Sequence, residues 1–389
     1  MKKIHVLHVL NSAFGGSALS TFELIDELKR QDIRSSLICF NNADQKQVDV
    51  IQNLVEGRVL FIPLYWTNKR IRVKWWKRPL LEAYTIAKTW KGYKYQRQID
   101  SFIKKNEVNI VHTSTILNPE GAIAAKRNNL AHVWHVRELI GPKTHYRFWN
   151  YRKWSASVIE NCDMLIANST ITKNNLLSFF PESKIEYIPN GIETHKFTPK
   201  HHVQQQRLVV GMVGNVTSQW KNHEFFIKTS VVLTGNSEFR IYGSLPRQGD
   251  AYYNHLVDFI RKNNLGSRVK FVGHHNQPWQ IMKEIDVLFH PTGLESFGRI
   301  FAEAMAGGIP IVAVQEGGAL ELVENDVNGY LIKENDVLAA AKNIQKLFES
   351  AELRNLLGSN GRIKVEKSYT LSRTADRISD MYKKLTEEN

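Results

Sequence analysis

One pattern limits the fold more than any other: along the whole chain, short apolar runs alternate with stretches of helical periodicity. In the first half the runs are Ile4–Leu10, Ser36–Phe40, Val59–Ile62, Val108–His112, His132–His135, Met164–Ala167 and Ile185–Ile188. In the second half they are Leu208–Val213, Phe239–Tyr242, Val269–Val272, Val287–Phe289 and Ile311–Val314. Runs this short and this continuously apolar read as strands buried on both faces. Strands separated by helices pair in parallel, with helices covering both sides of the sheet. At 389 residues the chain has room for two such units, each with its own core. The break falls after Ile188-Pro189-Asn190-Gly191-Ile192, through a polar stretch to about Gln206, where Pro, Asn-Gly and a Gln run interrupt the pattern. The expected domains are residues 1–192 and 205–370.

Several classes drop out early. No apolar run approaches the length of a membrane-spanning helix. The opening Met1–Leu10 is interrupted by two His and lacks a small-residue cleavage site, so it reads as a first strand and not a signal peptide. Cys39 and Cys162 make neither a disulfide framework nor a metal site. Both lie beside apolar runs and read as reduced core residues of a cytoplasmic protein. His274-His275 is no metal site either, because adjacent side chains on an extended chain point apart and no third ligand stands at metal spacing.

The stretch from His290 to Ile332 carries the chemistry. An apolar run, Asp286–Phe289, ends in a Pro291-Thr292-Gly293 turn, followed by Glu295, Ser296, Phe297 and Gly298. Helical pattern runs from Arg299 to Ala306, Gly307-Gly308 stop it, and Ile311–Val314 is the next strand. Free amides at a helix start, aided by the helix dipole, suit a diphosphate. Gly298 lets a ligand approach the backbone. Glu295 lies in the loop and Glu303 inside the helix. Each carboxylate can accept two hydroxyls, so the pair suits a polyhydroxylated ligand at both ends of a diphosphate.

Glu295 and Glu303, separated by seven residues within ESFGRIFAEAMAGGIPIV, resemble the signature of the retaining glycosyltransferases of family 4, and the resemblance spans nearly the whole chain. It implies the GT-B fold: two Rossmann-like, doubly wound parallel-sheet domains facing a cleft. A last helix, within 371–389, would pack back on the first domain. By the same resemblance Glu295 binds donor-sugar hydroxyls, Glu303 binds the nucleotide ribose, and the amides of Phe297, Gly298, Arg299 and Ile300 bind the diphosphate. His135, in Trp134-His135-Val136-Arg137-Glu138, lies next to the transferred sugar. Gly16, in the Gly15-Gly16 loop after the first strand, approaches the donor phosphate. Gly243 and Gly273 hold the base and ribose, and Gly317-Gly318 with Glu321 faces the sugar. Of the two cations that clamp the diphosphate in the family, Lys221 is present. Asn215 stands where the usual Arg would be, and Asn222 replaces the Gly after the Lys. Either Arg299 or a neighbour makes up the missing charge, or the leaving group is stabilised more weakly.

Other residues have plainer readings. His112 is expected to be structural. Asn168-Ser169 reads equally well as a helix cap, and Ser17 as part of a tight turn.

The net charge of +14 is lopsided. Residues 1–190 hold 28 Lys+Arg and 16 Asp+Glu, a net of +12, which points to an anionic partner of that half. Its densest part, Tyr65–Arg97, carries Trp66, Trp75, Trp76 and Trp90 among ten Lys and Arg. This reads either as a solvated basic helix pair or as an element that docks on an anionic membrane surface, in preference to nucleic acid. The expected function is transfer of a sugar, with retention and without a metal or cofactor, from a nucleotide sugar to a carbohydrate or lipid-linked acceptor. A UDP-sugar is the favoured donor. The expected setting is the cytoplasmic face of the cell membrane, in surface polysaccharide or glycolipid assembly. An epimerase or phosphorylase on the same fold, and a non-catalytic sugar-nucleotide-binding or membrane-binding partner, are the alternatives.

Overall fold

The structure, a computed structural model, describes residues 3–40, 45–62, 78–116, 119–141, 161–217, 219–275, 277–293 and 295–387. Residues 1–191 and 371–389 form one unit, and residues 192–370 form the other.

The first unit contains β1 (His5–Leu10), α1 (Gly16–Lys29), β2 (Arg34–Phe40), α2 (Gln45–Leu54), β3 (Val59–Ile62), α3 (Arg78–Lys105), β4 (Ile110–Thr113), α4 (Glu120–Asn128), β5 (Ala131–Val136), β6 (Met164–Ala167), α5 (Thr170–Leu177) and β7 (Ile185–Tyr187). Its parallel sheet runs β3-β2-β1-β4-β5-β6-β7. Alternate residues of each central strand face opposite helical layers. Val6, Ile110 and Val133 pack towards Leu24 and Leu28 of α1 and towards the C-terminal helix. Leu7, Val9 and Val111 pack towards Ile99 and Ile103 of α3 and Ala124 and Ala125 of α4. The amphipathic pattern of α1 starts at Leu19, and the helix itself begins three residues earlier, at Gly16. Gly15 (φ 91°) turns the chain, and the small residues Gly16, Ser17 and Ala18 form the first helical turn.

The second unit contains β8 (Leu208–Val213), α6 (His223–Val232), β9 (Ser237–Tyr242), α7 (Ala251–Lys262), β10 (Val269–Gly273), α8 (Pro278–Glu284), β11 (Val287–His290), α9 (Arg299–Ala306), β12 (Ile311–Val314), α10 (Ala319–Leu322), β13 (Gly329–Ile332), α11 (Val337–Glu349) and α12 (Ala351–Ser368). Its parallel sheet runs β10-β9-β8-β11-β12-β13. One core joins the sheet to α6, α7 and α11, and another joins its opposite face to α8, α9 and α12. The polar stretch after Ile192, expected as a linker, is packed against this unit. Lys200 N donates to Gly307 O (2.9 Å), Lys200 Nζ pairs with the buried Asp286 (2.8 Å), and His202 N donates to Asn355 Oδ1 (2.9 Å).

The last helix, α13 (Leu371–Glu387), belongs to the first unit. It buries Ala375, Ile378, Met381, Tyr382 and Leu385 against the sheet, and Thr374 Oγ1 donates to Pro189 O (2.9 Å). Among the described residues no helix is long and apolar enough to cross a membrane.

Candidate functional site

In a doubly wound sheet, ligands meet the carboxyl ends of the strands where the order reverses. In the second unit that point lies between β8 and its neighbour β11. The loop after β8 carries Asn215 and Lys221, and the loop after β11 carries Glu295. The sheet thereby brings together two side chains 74 positions apart: the Lys221 ammonium donates to a Glu295 carboxylate oxygen. Lys221 also lies over the Trp220 ring, 4.2 Å from its centroid. Burial would raise the Glu295 pKa, but the Lys221 charge and a His290 contact outweigh it and hold the carboxyl at about 2. Glu295 is therefore anionic throughout the working pH range.

His290 is a residue of this site that no sequence motif singles out. It ends β11, is buried, and places Nε2 3.6 Å from Glu295 Oε1 with its ring edge-on to Phe301 at 4.9 Å. Burial lowers its pKa, against the pull of Glu295, so the ring is neutral. The available signal is its position as the last residue of an apolar strand, shortly before Glu295.

Gly298 caps α9 in the left-handed conformation (φ 75°), where a Cβ would stand 2.5 Å from the Phe301 ring. Phe297 is buried beneath the turn. Phe301 N donates back to Gly298 O (2.9 Å), which closes the first turn of the helix. Within the helix Arg299 Nε donates to Glu303 Oε1 (2.7 Å). The Arg299 guanidinium thus pairs with Glu303, as Lys221 pairs with Glu295. Gly317-Gly318 supports the loop from behind. Gly318 N donates to Glu295 O (2.8 Å), and a Cβ there would stand 2.1 Å from Phe297 O.

The two departures from the family pattern have local explanations. Asn215 Oδ1 accepts from Ser244 N (2.9 Å), so its carbonyl caps the turn after β9. Asn222 is left-handed (φ 56°) at the N-cap of α6, a conformation that Gly and Asn both tolerate. Gly243 (φ 152°) crosses the β8 loop so closely that a Cβ would stand 2.3 Å from Gly214 O, and its N–H donates to Gly273 O (2.8 Å). Gly273 (φ 96°) has open space where a side chain would be.

In the first unit the order reverses between β1 and β4. Gly16 opens α1 there with open space where a Cβ would stand, and Ser17 Oγ donates to Ser114 O (3.2 Å) beyond β4. His135 lies near the end of β5, 1% exposed, with no hydrogen-bond partner for either ring nitrogen among the described residues. Glu138 ties the neighbouring loop down: it accepts from Thr115 Oγ1 (2.6 Å), Ile116 N (3.2 Å) and Arg137 N (3.2 Å). His112, expected to be structural, is hydrogen-bonded through Nδ1 to the Tyr382 hydroxyl. Ser169 caps α5 by accepting from Thr172 N (3.1 Å). Of the basic aromatic segment, Tyr65 to Lys77 lie outside the described residues, as does His145–Trp154, a second stretch of Lys, Arg, Tyr and Trp.

The fold is the GT-B fold, and solved structures that superpose on this chain include glycosyltransferases. An Anabaena protein, Alr3699/HepE, solved with UDP and glucose, superposes with a TM-score of 0.75 at 20% identity over 98% of this chain and 100% of that one. Staphylococcus aureus TarM, solved as a variant with UDP, superposes with a TM-score of 0.73 at 15% identity over 98% of this chain and 100% of that one. The Glycosyltransferase Family 4 model matches residues 14–196 and the Glycosyl transferases group 1 model matches residues 193–364. The chain belongs to this family. Among curated relatives, the capsular polysaccharide biosynthesis glycosyltransferase CapM of Staphylococcus aureus is 24% identical over 60% of this chain and 62% of its own length. An Escherichia coli UDP-Gal:alpha-D-GlcNAc-diphosphoundecaprenol alpha-1,3-galactosyltransferase is 28% identical over 51% and 54%. The match thus spans little more than half the length of these relatives.

Proposed function

We propose that the protein transfers a sugar, with retention, from a nucleotide diphosphate sugar to an acceptor hydroxyl. The observation that carries the reading is the Lys221–Glu295 pair, set at the β8/β11 switch point beside the start of α9. Glu295 accepts hydrogen bonds from hydroxyls of the donor sugar. Lys221 and the amides of Phe297, Gly298, Arg299 and Ile300 hold the diphosphate, and Glu303 holds the ribose. The sugar–phosphate bond breaks as the acceptor oxygen bonds the anomeric carbon on the same face. The departing phosphate oxygen takes the acceptor proton, so no protein nucleophile is needed. Fixed donors at the leaving group supply the main catalytic term. Uridine is the favoured base, in line with the UDP bound to the Anabaena neighbour and the UDP-Gal in the name of the Escherichia coli relative. A thermal-shift and hydrolysis screen over UDP-, GDP- and ADP-sugars is expected to show stabilisation and slow turnover by one class, unchanged by EDTA. Loss of turnover on chelation with rescue by Mn²⁺ or Mg²⁺ would overturn the metal-independent reading.

The acceptor we favour is lipid-linked, at an anionic membrane surface. The support is the net +12 of residues 1–190 and the diphosphoundecaprenol acceptor named for the Escherichia coli relative. Each basic residue near such a surface adds about 1 kcal/mol, so a few suffice for reversible docking. Replacing Lys69, Arg70, Arg72, Lys74, Lys77 and Arg78 with Gln is expected to abolish co-sedimentation with anionic vesicles while hydrolysis persists. A wild-type protein that ignores such vesicles sinks this part of the reading.

A further inference from the structure

A cavity of about 260 Å³ opens in the first unit at the amino ends of β1, β2 and β3, the sheet edge opposite the carboxyl ends of the strands. Each of these strands brings a cation to it. Lys3 precedes β1, Arg34 opens β2 in register with His5, and Arg58 precedes Val59, the partner of Leu37. The helices α1 and α2 end at the same edge. Each turns towards its next strand through a left-handed residue, Asp32 (φ 58°) and Glu56 (φ 52°). Part of the wall is apolar, formed by Ile25, Ile33 and Leu54.

The charges around the cavity do not balance. Four cations, Lys3, Lys29, Arg34 and Arg58, face two carboxylates, Asp32 and Glu56. Glu56 is taken by two of the cations, Lys29 Nζ at 3.0 Å and Arg58 Nη1 at 3.0 Å. Arg58 Nε also donates to Ser35 O (3.2 Å). Among the described residues the side-chain charges of Arg34 and Lys3 have no ion pair or hydrogen bond. The carboxyl ends of α1 and α2 carry about half a negative charge each, which still leaves the cavity positive. The excess is felt inside the sheet: burial first, and then the Arg58 and Arg34 charges, lower the His5 pKa to about 4. Like charges gathered around one space repel, and a bound anion removes that cost.

We propose that this cavity binds a phosphate monoester that carries an apolar group. Such a phosphate bears a charge of about −1.5 to −2 near pH 7, which answers the two cations left without partners. Arg34 offers a planar fork to two phosphate oxygens, and Lys3 adds a point charge. Ile25, Ile33 and Leu54 cover the carbons next to the ester oxygen. The volume is below the roughly 300–1,000 Å³ of pockets that enclose drug-sized ligands, so the ligand is a small molecule or enters by its head alone. The site is independent of the sugar-transfer reading, because every residue that lines it belongs to the first unit and none is in the Lys221–Glu295 loops.

The test is calorimetric titration of the full chain with n-butyl phosphate at low salt. Saturable binding is expected, and Arg34→Gln is expected to weaken it about tenfold or more. Arg34 is exposed, so the melting temperature of this variant without ligand should not fall. Adding Lys3→Gln is expected to weaken binding further. Lys221→Gln should leave it within about twofold, which separates this cavity from the candidate diphosphate site. Pentanoate, with a single charge, is expected to bind about tenfold more weakly than butyl phosphate. The proposal is overturned if butyl phosphate does not bind, if the Arg34→Gln/Lys3→Gln double variant binds it as the wild type does, if Lys221→Gln abolishes binding, or if pentanoate binds equally well. Co-sedimentation with phosphatidate vesicles, against phosphatidylglycerol vesicles of equal charge, then assigns the source of the phosphate. A preference for phosphatidate that Arg34→Gln removes makes the ligand a lipid head. Butyl phosphate binding without that preference makes it a soluble phosphate ester, and either result supports the site.

Discussion

Glu295→Ala is expected to lower kcat by about 10²–10³-fold, the cost of losing one preorganised contact made in the transition state. Nucleotide affinity should stay within a few fold of wild type, and the reason lies in the ion pair. Glu295 is the carboxylate that neutralises Lys221. Removing it leaves the ammonium with a single anionic partner, the donor diphosphate. Glu303→Ala is expected to give the opposite split. It removes charge-assisted bonds worth about 1.5–3 kcal/mol in the ground and transition states alike, so the nucleotide dissociation constant rises by more than about tenfold while kcat at saturation changes little. Titration calorimetry with UDP beside steady-state kinetics separates the two. Both variants turning over sugar normally would remove the α9 start from the active site.

The first unit is expected to be acid-labile. His8, His112, His132 and His135 are fully buried and neutral. Desolvation lowers His8 and His132 to about 3 and holds His112 and His135 well below the ordinary histidine value, with the Arg137 charge adding to the effect on all but His132. Burial, with the Arg58 and Arg34 charges, lowers His5 to about 4. The unfolded chain binds protons at these histidines near pH 6.5 and the folded chain does not. Their contribution is therefore complete above about pH 6.5 and is lost as the pH falls from there towards about 3. Two carboxyls oppose this. Burial raises Glu120 to about 7 and raises Glu138 as well, so each stabilises the fold as the pH falls towards the ordinary carboxyl range. Five histidines against two carboxyls leave a net of three groups, each worth about 1.4 kcal/mol per pH unit, so the balance is a loss of roughly 4 kcal/mol per pH unit below about pH 6. A domain of ordinary stability, about 5–15 kcal/mol, unfolds within a few such units. Calorimetry from about pH 7.5 to about pH 4.5 should show the transition of the first unit moving down steeply. A transition independent of pH would mean these histidines find proton acceptors.

Much of this fold was legible in the chain because parallel strands are continuous apolar runs, and here the runs end close to where the strands end. The α9 stretch was equally readable, since Gly298 and Gly307-Gly308 bracket it. The start of α1 was not, because Gly16, Ser17 and Ala18 carry no apolar periodicity. The strand β13, Gly329–Ile332, leaves little trace because it is four residues long and begins with Gly. The packed stretch between Ile192 and Gln206 was hidden by its polarity: its contacts are hydrogen bonds and an ion pair, which leave no hydrophobic pattern. The long-range pairings were out of reach for a different reason. Lys221 meets Glu295 across 74 positions and Tyr382 meets His112 across 270, and only the strand order brings them together.

The most direct test of the account is ¹H and ³¹P NMR of a UDP-sugar with an α anomeric centre, followed in real time with the wild-type protein and an acceptor alcohol. The account predicts release of UDP without added metal and a first-formed product that keeps the α configuration, with both signals lost in Glu295→Ala. An intact UDP-sugar in a screen that includes GDP- and ADP-sugars, or a product that first appears as the β anomer, would contradict it.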